Sequence, residues 1–467
     1  MQVTKDIADF AVKTNYEDLP PYAVRETKRL LLDTMGCAIG GLSTQKGKIA
    51  IDLARLLKGP AEATILGTGD KVSGASSAFA AGELINALDY EALLSPPDHA
   101  TPYVLPAPLA IGEMKRVSGK ELIIATAVAH ELATRIGSSL IFGRRFAVEL
   151  PERGAVMSLP TPGYGLCSFA GAAAGGRLLG LSADQIAHAM GIAGYVAPVP
   201  MLTKFATTVP VSLGKYLSAG FLSQAQVLAI LSAHMGYTGD TQVLDSDYGF
   251  WRAFGCDGWK PEYITQGLGQ VWHFPERIFY KTFPCCGAMQ NTLAHFHSII
   301  TQNDLDHQDI TEVIVKLNLL AELPVWRTTQ IETHVGLQFS VSYIFSIAAH
   351  RIEIGPSWQM PEIFTHQGIA EFTSKVKVIT DLDDEAHQRP DVEVVTGTGP
   401  ARKTYSKKGI ALGHQMTDTE LVDKFKRNTH SILNQDQIQE AITLIQTLED
   451  CNDITQLFAC ISPAKPG

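Results

Sequence analysis

The sequence predicts a two-domain chain: an all-α helical domain, built from the N-terminal half and the C-terminal tail, with an α+β domain inserted between them. Three observations predict it. Apolar residues recur at intervals of three and four through the first half, period-two alternation is confined to TEVIVKLNL, KVKVITDL and DVEVVTG, and charged amphipathic helices return in the tail. The expected boundaries are 1–270 for the first helical part, 271–405 for the α+β insertion and 406–467 for the helices that complete the helical domain.

In chain order, Pro20 and Pro21 open AVRETKRLLLDTMGCAIGG, which Gly40 and Gly41 close. GKIAIDLARLLKG follows, and then SGASSAFAAGELINALDYEALL, where Ser73 is placed to cap and Asp89 falls near the helix end. SGKELIIATAVAHELATRIGSSL and SFAGAAAGGRLLGLSADQIAHAMGIAG are rich in Ala and Gly, which lets helices approach closely. SLGKYLSAGFLSQAQVLAILSAHMG predicts a long apolar helix headed by Lys215 and ending at Gly236. GLQFSVSYIFSIAAHRIEIG reads as a core helix set between the strands, and TDTELVDKFKRNTHSILNQDQIQEAITLIQTLED as the amphipathic tail.

Composition narrows the function classes. The 467 residues are 45% hydrophobic with a net charge of −10, enough to bury sizeable cores and without the basic runs that nucleic acid would need. Asp6 and Asp9 interrupt the start where a signal peptide would be apolar, so a cytoplasmic, non-membrane protein is expected. Seven cysteines (37, 167, 256, 285, 286, 451 and 460) fall in no metal-ligand spacing, which argues against zinc and suits a reducing compartment. No glycine-rich phosphate loop is present, so no nucleotide cofactor is implied.

Candidate chemistry concentrates in NALDYEALLSPPDHATPYVLP, residues 86–106. Pro96 and Pro97 break the helix before Asp98 and His99, so the ten residues from Asp89 to His99 can fold back and bring a carboxylate and an imidazole into one cavity as an acid/base pair. The structural alternative is that Asp89 caps or pairs with a neighbouring helix and His99 is a turn residue. Lys215 and Lys281, the latter in YKTFPCCGAMQ, are ammonium groups in apolar company: each would bind a carboxylate or lose basicity and serve as a base, or else reach solvent. Cys285 and Cys286 lack a histidine partner in sequence.

LLLDTMGCAIGG, ALDYEALLSPPDHATPYVLPAPLAIGE, RLLGLSADQIAHAMGIAG, GYTGDTQVLD, KTFPCC and GLQFSVSYIFSIAAH, in this order, resemble the MmgE/PrpD family over nearly the whole chain. That family includes 2-methylcitrate dehydratase, cis-aconitate decarboxylase and iminodisuccinate epimerase. The resemblance implies an all-α domain with an inserted α/β lid, a homodimer, a small carboxylate substrate and no cofactor. It places the family's helix-end Asp on Asp89, its His on His99, and its two lysines on Lys215 and Lys281.

Departures from the family pattern mark positions expected to touch substrate. In the Asp-Phe-Asp-Asp-Thr segment the fourth and fifth residues become Ala92 and Leu93; family histidines become Ser218 and Gln290, and another becomes Thr161. Lys204 lies in an apparent insertion ahead of Lys215, and either lines the pocket or lengthens a surface loop. Losing these polar groups shifts the expected substrate away from cis-aconitate and 2-methylcitrate. The expected activity is a cofactor-independent lyase, a dehydratase or decarboxylase, that moves a proton at a carbon next to a carboxylate. An epimerase or isomerase using the same residues is the second possibility, and a catalytically dead binding scaffold the third.

Overall fold

The computed structural model describes residues 2–142, 147–150, 152, 154–158, 163–199, 201–380, 391–409 and 416–463. Helices α1 (Val3–Lys13), α2 (Pro21–Gly41), α3 (Gln45–Leu57), α4 (Gly74–Asn86), α5 (Pro106–Lys115) and α6 (Gly119–Ser139) come first. They are followed by α7 (Cys167–Leu179), α8 (Ala183–Tyr195) and α9 (Ala219–His234). Their limits obey local chemistry. Thr44, Ser73 and Ser118 each accept a backbone N–H three residues on, and Gly180, at φ 82°, adopts the left-handed turn that ends α7. Ser182 and Gln185 then form a capping box, so the Ala/Gly-rich stretch becomes two helices.

The first part is not purely helical. Short strand pairs join 63–64 to 71–72, 140–141 to 258–259 and 147–150 to 155–158. Another short pair matters for the site: β1 (Leu93–Leu94) runs antiparallel to β2 (Ile278–Phe279), with Leu93 opposite Phe279.

A four-stranded sheet forms beyond residue 300. Its order is β4 (Val376–Thr380), β3 (Ile310–Leu317), β5 (Val392–Thr396), β6 (Lys403–Lys407), parallel between β4 and β3 and antiparallel thereafter. Burial alternates along β3, as its period-two pattern demands. β6 (KTYSK) has no apolar alternation and is exposed along most of its length, which is why pattern alone misses it. Helix α10 (Gln290–Gln302) packs against this sheet.

The expected core helix is split into α11 (His334–Phe339) and α12 (Val341–Ala349) at Ser340, whose hydroxyl caps the second piece. In the tail, α13 (Asp418–Thr429) and α14 (Gln435–Gln446) both start with capping boxes. α13 returns to α2, where Phe425 packs on Gly36 so tightly that a Cβ there would lie 3.1 Å from its ring. No helix among the described residues is long and apolar enough to cross a membrane.

Candidate active site

Helix α4 ends at Asn86, three residues short of Asp89, which itself stands at φ 53°. The last carbonyls of a helix have no partner within it. Here five consecutive carbonyls, from Asn86 onward, each accept a side-chain donor from a distant part of the chain. Lys215 Nζ reaches Asn86 (2.9 Å), Gln338 Nε2 reaches Ala87 (2.7 Å) and Gln359 Nε2 reaches Leu88 (2.6 Å). Lys281 Nζ reaches Asp89 (2.8 Å) and Lys424 Nζ reaches Tyr90 (2.7 Å). Asp33 of α2 then accepts the Ala92 N–H at 2.9 Å. The segment is fixed by buried side chains rather than by secondary structure.

This clamp presents Asp89 to two ammonium groups. Its Oδ1 is 3.0 Å from Lys215 and its Oδ2 is 3.0 Å from Lys281, and neither the carboxylate nor Lys281 has any exposed surface. Each lysine arrives by a separate route. The β1–β2 pairing carries the chain on through Tyr280 to Lys281, and Gln290 braces that stretch by accepting from the N–H groups of Thr282 and Phe283 and donating to Phe283 and Cys285. Lys215 precedes α9 rather than heading it, in a left-handed conformation (φ 51°). α9 is drawn onto α4 by glycines at the contact: a Cβ on Gly220 would lie 2.5 Å from the Phe79 carbonyl oxygen. Glu83 of α4 caps α9 by accepting the Gly220 N–H (2.7 Å) and the Ser218 hydroxyl, and pairs with Lys46 at 3.0 Å.

His99 completes the group. Its Nδ1 is 2.7 Å from Glu91 Oε1, and its Nε2 is 3.7 Å from Asp89 Oδ1, outside hydrogen-bond reach. Asn86 donates to the same Glu91 oxygen at 2.6 Å. The imidazole ring faces Tyr164 and Tyr216, at 5.9 and 5.4 Å between centroids, and burial holds both phenols well above their ordinary range, so they stay protonated.

Electrostatics divides the two lysines. Burial would raise Asp89, but Lys215, Lys281 and His99 outweigh it and hold the carboxyl well below its usual range; Glu91 is likewise brought down to about 2. Burial pushes Lys215 down to about 8, against the pull of Asp89 and Glu91 and with the help of Lys46 and Lys281. At Lys281 the same burial is overcome by Asp89 and Glu91, and its ammonium sits above the ordinary lysine value. One lysine can exchange a proton near neutrality; the other is a fixed charge.

Asp89, Glu91 and His99 offer ligand atoms within 4.8 Å of one another, a spacing that a metal ion could share. Both oxygens of Asp89 already face ammonium groups, so a divalent ion there would meet two positive charges. The donor set is balanced by its own lysines and does not fit a resident cation.

The four residues Asp89, His99, Lys215 and Lys281 therefore converge. The other sequence candidates do not line the same group. Leu93 is held in β1 with its side chain over Gly287. Ser218 is spent on Glu83 and Gln290 on the 282–285 backbone. Lys204 is exposed on a short helix, and Thr161 lies outside the described residues. Sequence reasoning missed Glu91, although it stands two residues after Asp89, at an acidic position of the very segment compared with the family. It also missed Gln338, Gln359 and Lys424, whose roles depend on long-range contacts.

Residues 5–262 match the MmgE/PrpD N-terminal domain and residues 283–450 the MmgE/PrpD C-terminal domain. The chain is 25% identical to a cis-aconitate decarboxylase of Aspergillus terreus, over 99% of this chain and 96% of that protein. It is 23% identical to a cis-aconitate decarboxylase-like protein of Aspergillus oryzae, over 98% of this chain and 97% of that protein. The human cis-aconitate decarboxylase is 23% identical, over 95% of this chain and 91% of its own length.

Proposed function

The chain belongs to the MmgE/PrpD family, and from that premise we propose that it is a cofactor-independent lyase acting on a small organic acid, by proton transfer at a carbon next to a carboxylate. The observation that carries the reading is His99, buttressed by Glu91 at 2.7 Å and set beside an Asp89 held between two lysines of unequal basicity. Its relatives named as decarboxylases favour loss of carbon dioxide over loss of water. In that reaction the carbon–carboxylate bond breaks, carbon dioxide leaves, and the electron pair stays on carbon, conjugated into the remaining unsaturated acid. Lys281, with its permanent charge, neutralises the developing enolate-like oxygen, and the proton added at carbon comes from Nε2 of a doubly protonated His99, whose Nδ1–H stays on Glu91 and whose ring leaves the step neutral. Lys215 faces the second carboxylate and can return a proton to His99 between turnovers.

The change to Ala92, next to Glu91 in the site loop, supports a substrate with fewer carboxylates or a more apolar arm than cis-aconitate. We carry the cytoplasmic location and the homodimer implied by the resemblance as part of this reading, and sedimentation of the purified chain tests the latter. The activity is tested by proton NMR in deuterated water with cis-aconitate, citrate, 2-methylcitrate and substituted succinates. A product carrying deuterium next to a carboxylate is expected. Inversion without change of mass would instead make the enzyme an epimerase, and silence with every acid from a folded protein would remove the lyase reading.

A further inference from the structure

His334 is 2% exposed, and neither of its ring nitrogens completes a hydrogen bond to protein. It opens α11, which lies over Lys215. The Phe339 ring at the other end of this helix has its centroid 6.0 Å from Lys215 Nζ, and Thr333 donates to the Val211 carbonyl, four residues before that lysine. Gln338, one turn on, donates to Ala87 beside the Asn86 carbonyl that holds Lys215. The Ala87 carbonyl oxygen lies close enough to favour the protonated ring but completes no hydrogen bond with it, accepting instead from Gln338 at 2.7 Å.

An imidazole sealed from water with both nitrogens unpaired is costly, and such a group in a folded protein calls for a reason. A second unpaired group stands in the same place. The hydroxyl of Tyr216, next in sequence to Lys215, is buried without a hydrogen-bond partner. Both are polar groups that the protein itself does not satisfy, gathered around one ammonium.

We propose that His334 is a substrate-binding residue contributed by the second family domain, donating a ring N–H to the carboxylate that Lys215 faces. The proposal rests on the reading given under Proposed function and adds a recognition element to it. Burial first, and then the charges of Lys215 and Lys46, push the ring down to about 3, so it is neutral at physiological pH. A neutral imidazole has one donor and one acceptor. It adds direction to the recognition of a carboxylate without adding a third positive charge to the cluster.

The test compares His334→Leu and His334→Gln with the wild type, on cis-aconitate, citrate, 2-methylcitrate and substituted succinates, by thermal unfolding, calorimetric binding and steady-state kinetics. Replacing an unsatisfied buried imidazole by a hydrocarbon should leave Tm unchanged or raise it. Losing a hydrogen bond to a charged ligand should raise KM and Kd about 10- to 100-fold, with a smaller effect on kcat. His334→Gln, which keeps an N–H donor, should recover part of that loss. If His334→Leu binds and turns over as the wild type does, the proposal is overturned. A fall in Tm with binding unaffected, or with the Gln variant no better than the Leu variant, assigns the residue to the fold and overturns it equally. A wild type that binds none of the acids removes the lyase reading, and the role of His334 falls with it.

Discussion

Glu91 Oε1 lies 2.7 Å from His99 Nδ1, and this contact decides which face of the imidazole is left for chemistry. A carboxylate at Nδ1 fixes the proton there and leaves Nε2 to give or take one. Asp89, 3.7 Å from that second nitrogen, is not the orienting group; its oxygens are held by the lysines. In the proposed mechanism the acid/base unit is therefore Glu91–His99, and Asp89 sets the charge around it.

His99→Gln should lower kcat by about 100-fold or more, the usual contribution of a positioned acid/base group. Glu91→Gln keeps an acceptor atom but removes the charge that selects the tautomer, and should cost a comparable ~100-fold. Both are read by initial rates on variants whose circular dichroism matches the wild type. A Glu91→Gln variant within threefold of wild type would return the orienting role to another group.

The unequal lysines make a pH prediction. If Lys215 must be charged to face a carboxylate, kcat/KM should fall about tenfold per pH unit above the midpoint of about 8 set by its burial. Lys215→Arg, which cannot lose its proton in this range, should abolish that limb even if it lowers the plateau. The stability sign is opposite. Between about 8 and the ordinary lysine value of 10.5 the unfolded chain binds more protons at this position than the folded one, so this group alone makes stability rise with pH while activity falls. Activity and unfolding measured across the same pH series separate the two effects.

Most of the helical frame was legible because its signals are local. Ser73 caps where a cap is expected and β3 alternates, whereas the stop at Gly180 and the cap at Ser182, which divide the Ala/Gly-rich stretch, are findings of the structure. The failures have a common cause. Periodicity puts Asp89 near the end of a helix that stops at Asn86, and Lys215 at the head of a helix that begins at Ala219. In both places tertiary donors and acceptors replace the helical hydrogen bonds, so periodicity alone overruns the true end. The roles of Ser218 and Gln290 were invisible for the same reason: each answers a backbone or carboxylate group that folding brings near. Glu91, a carboxylate two positions from Asp89 in the same segment, is within reach of the sequence alone.

Gly220→Ala tests whether helix contact sets the site. The added methyl would lie 2.5 Å from the Phe79 carbonyl oxygen, so α9 must move away from α4. Overpacking of this kind costs about 1–3 kcal/mol. The movement lengthens the reach from Lys215 to Asp89, so the variant should lose activity at temperatures where it remains folded. Full activity together with lowered Tm would show that the lysine position is independent of the helix pair.

Lys424 and Asp33, 2.7 Å apart and both almost fully buried, join the tail helix α13 to α2 beneath the site loop. Lys424→Met leaves Asp33 as an unpaired interior charge, and should destabilise the protein by about 3–5 kcal/mol. The same change frees the Tyr90 carbonyl and so loosens one of the five clamps on the loop that carries Asp89 and Glu91. Adding Asp33→Asn removes the stranded charge but cannot restore the clamp. The double variant should therefore regain most of the lost Tm while its kcat stays low. Recovery of both would mean that the tail supports the site only through stability; recovery of Tm alone would show that it positions the loop.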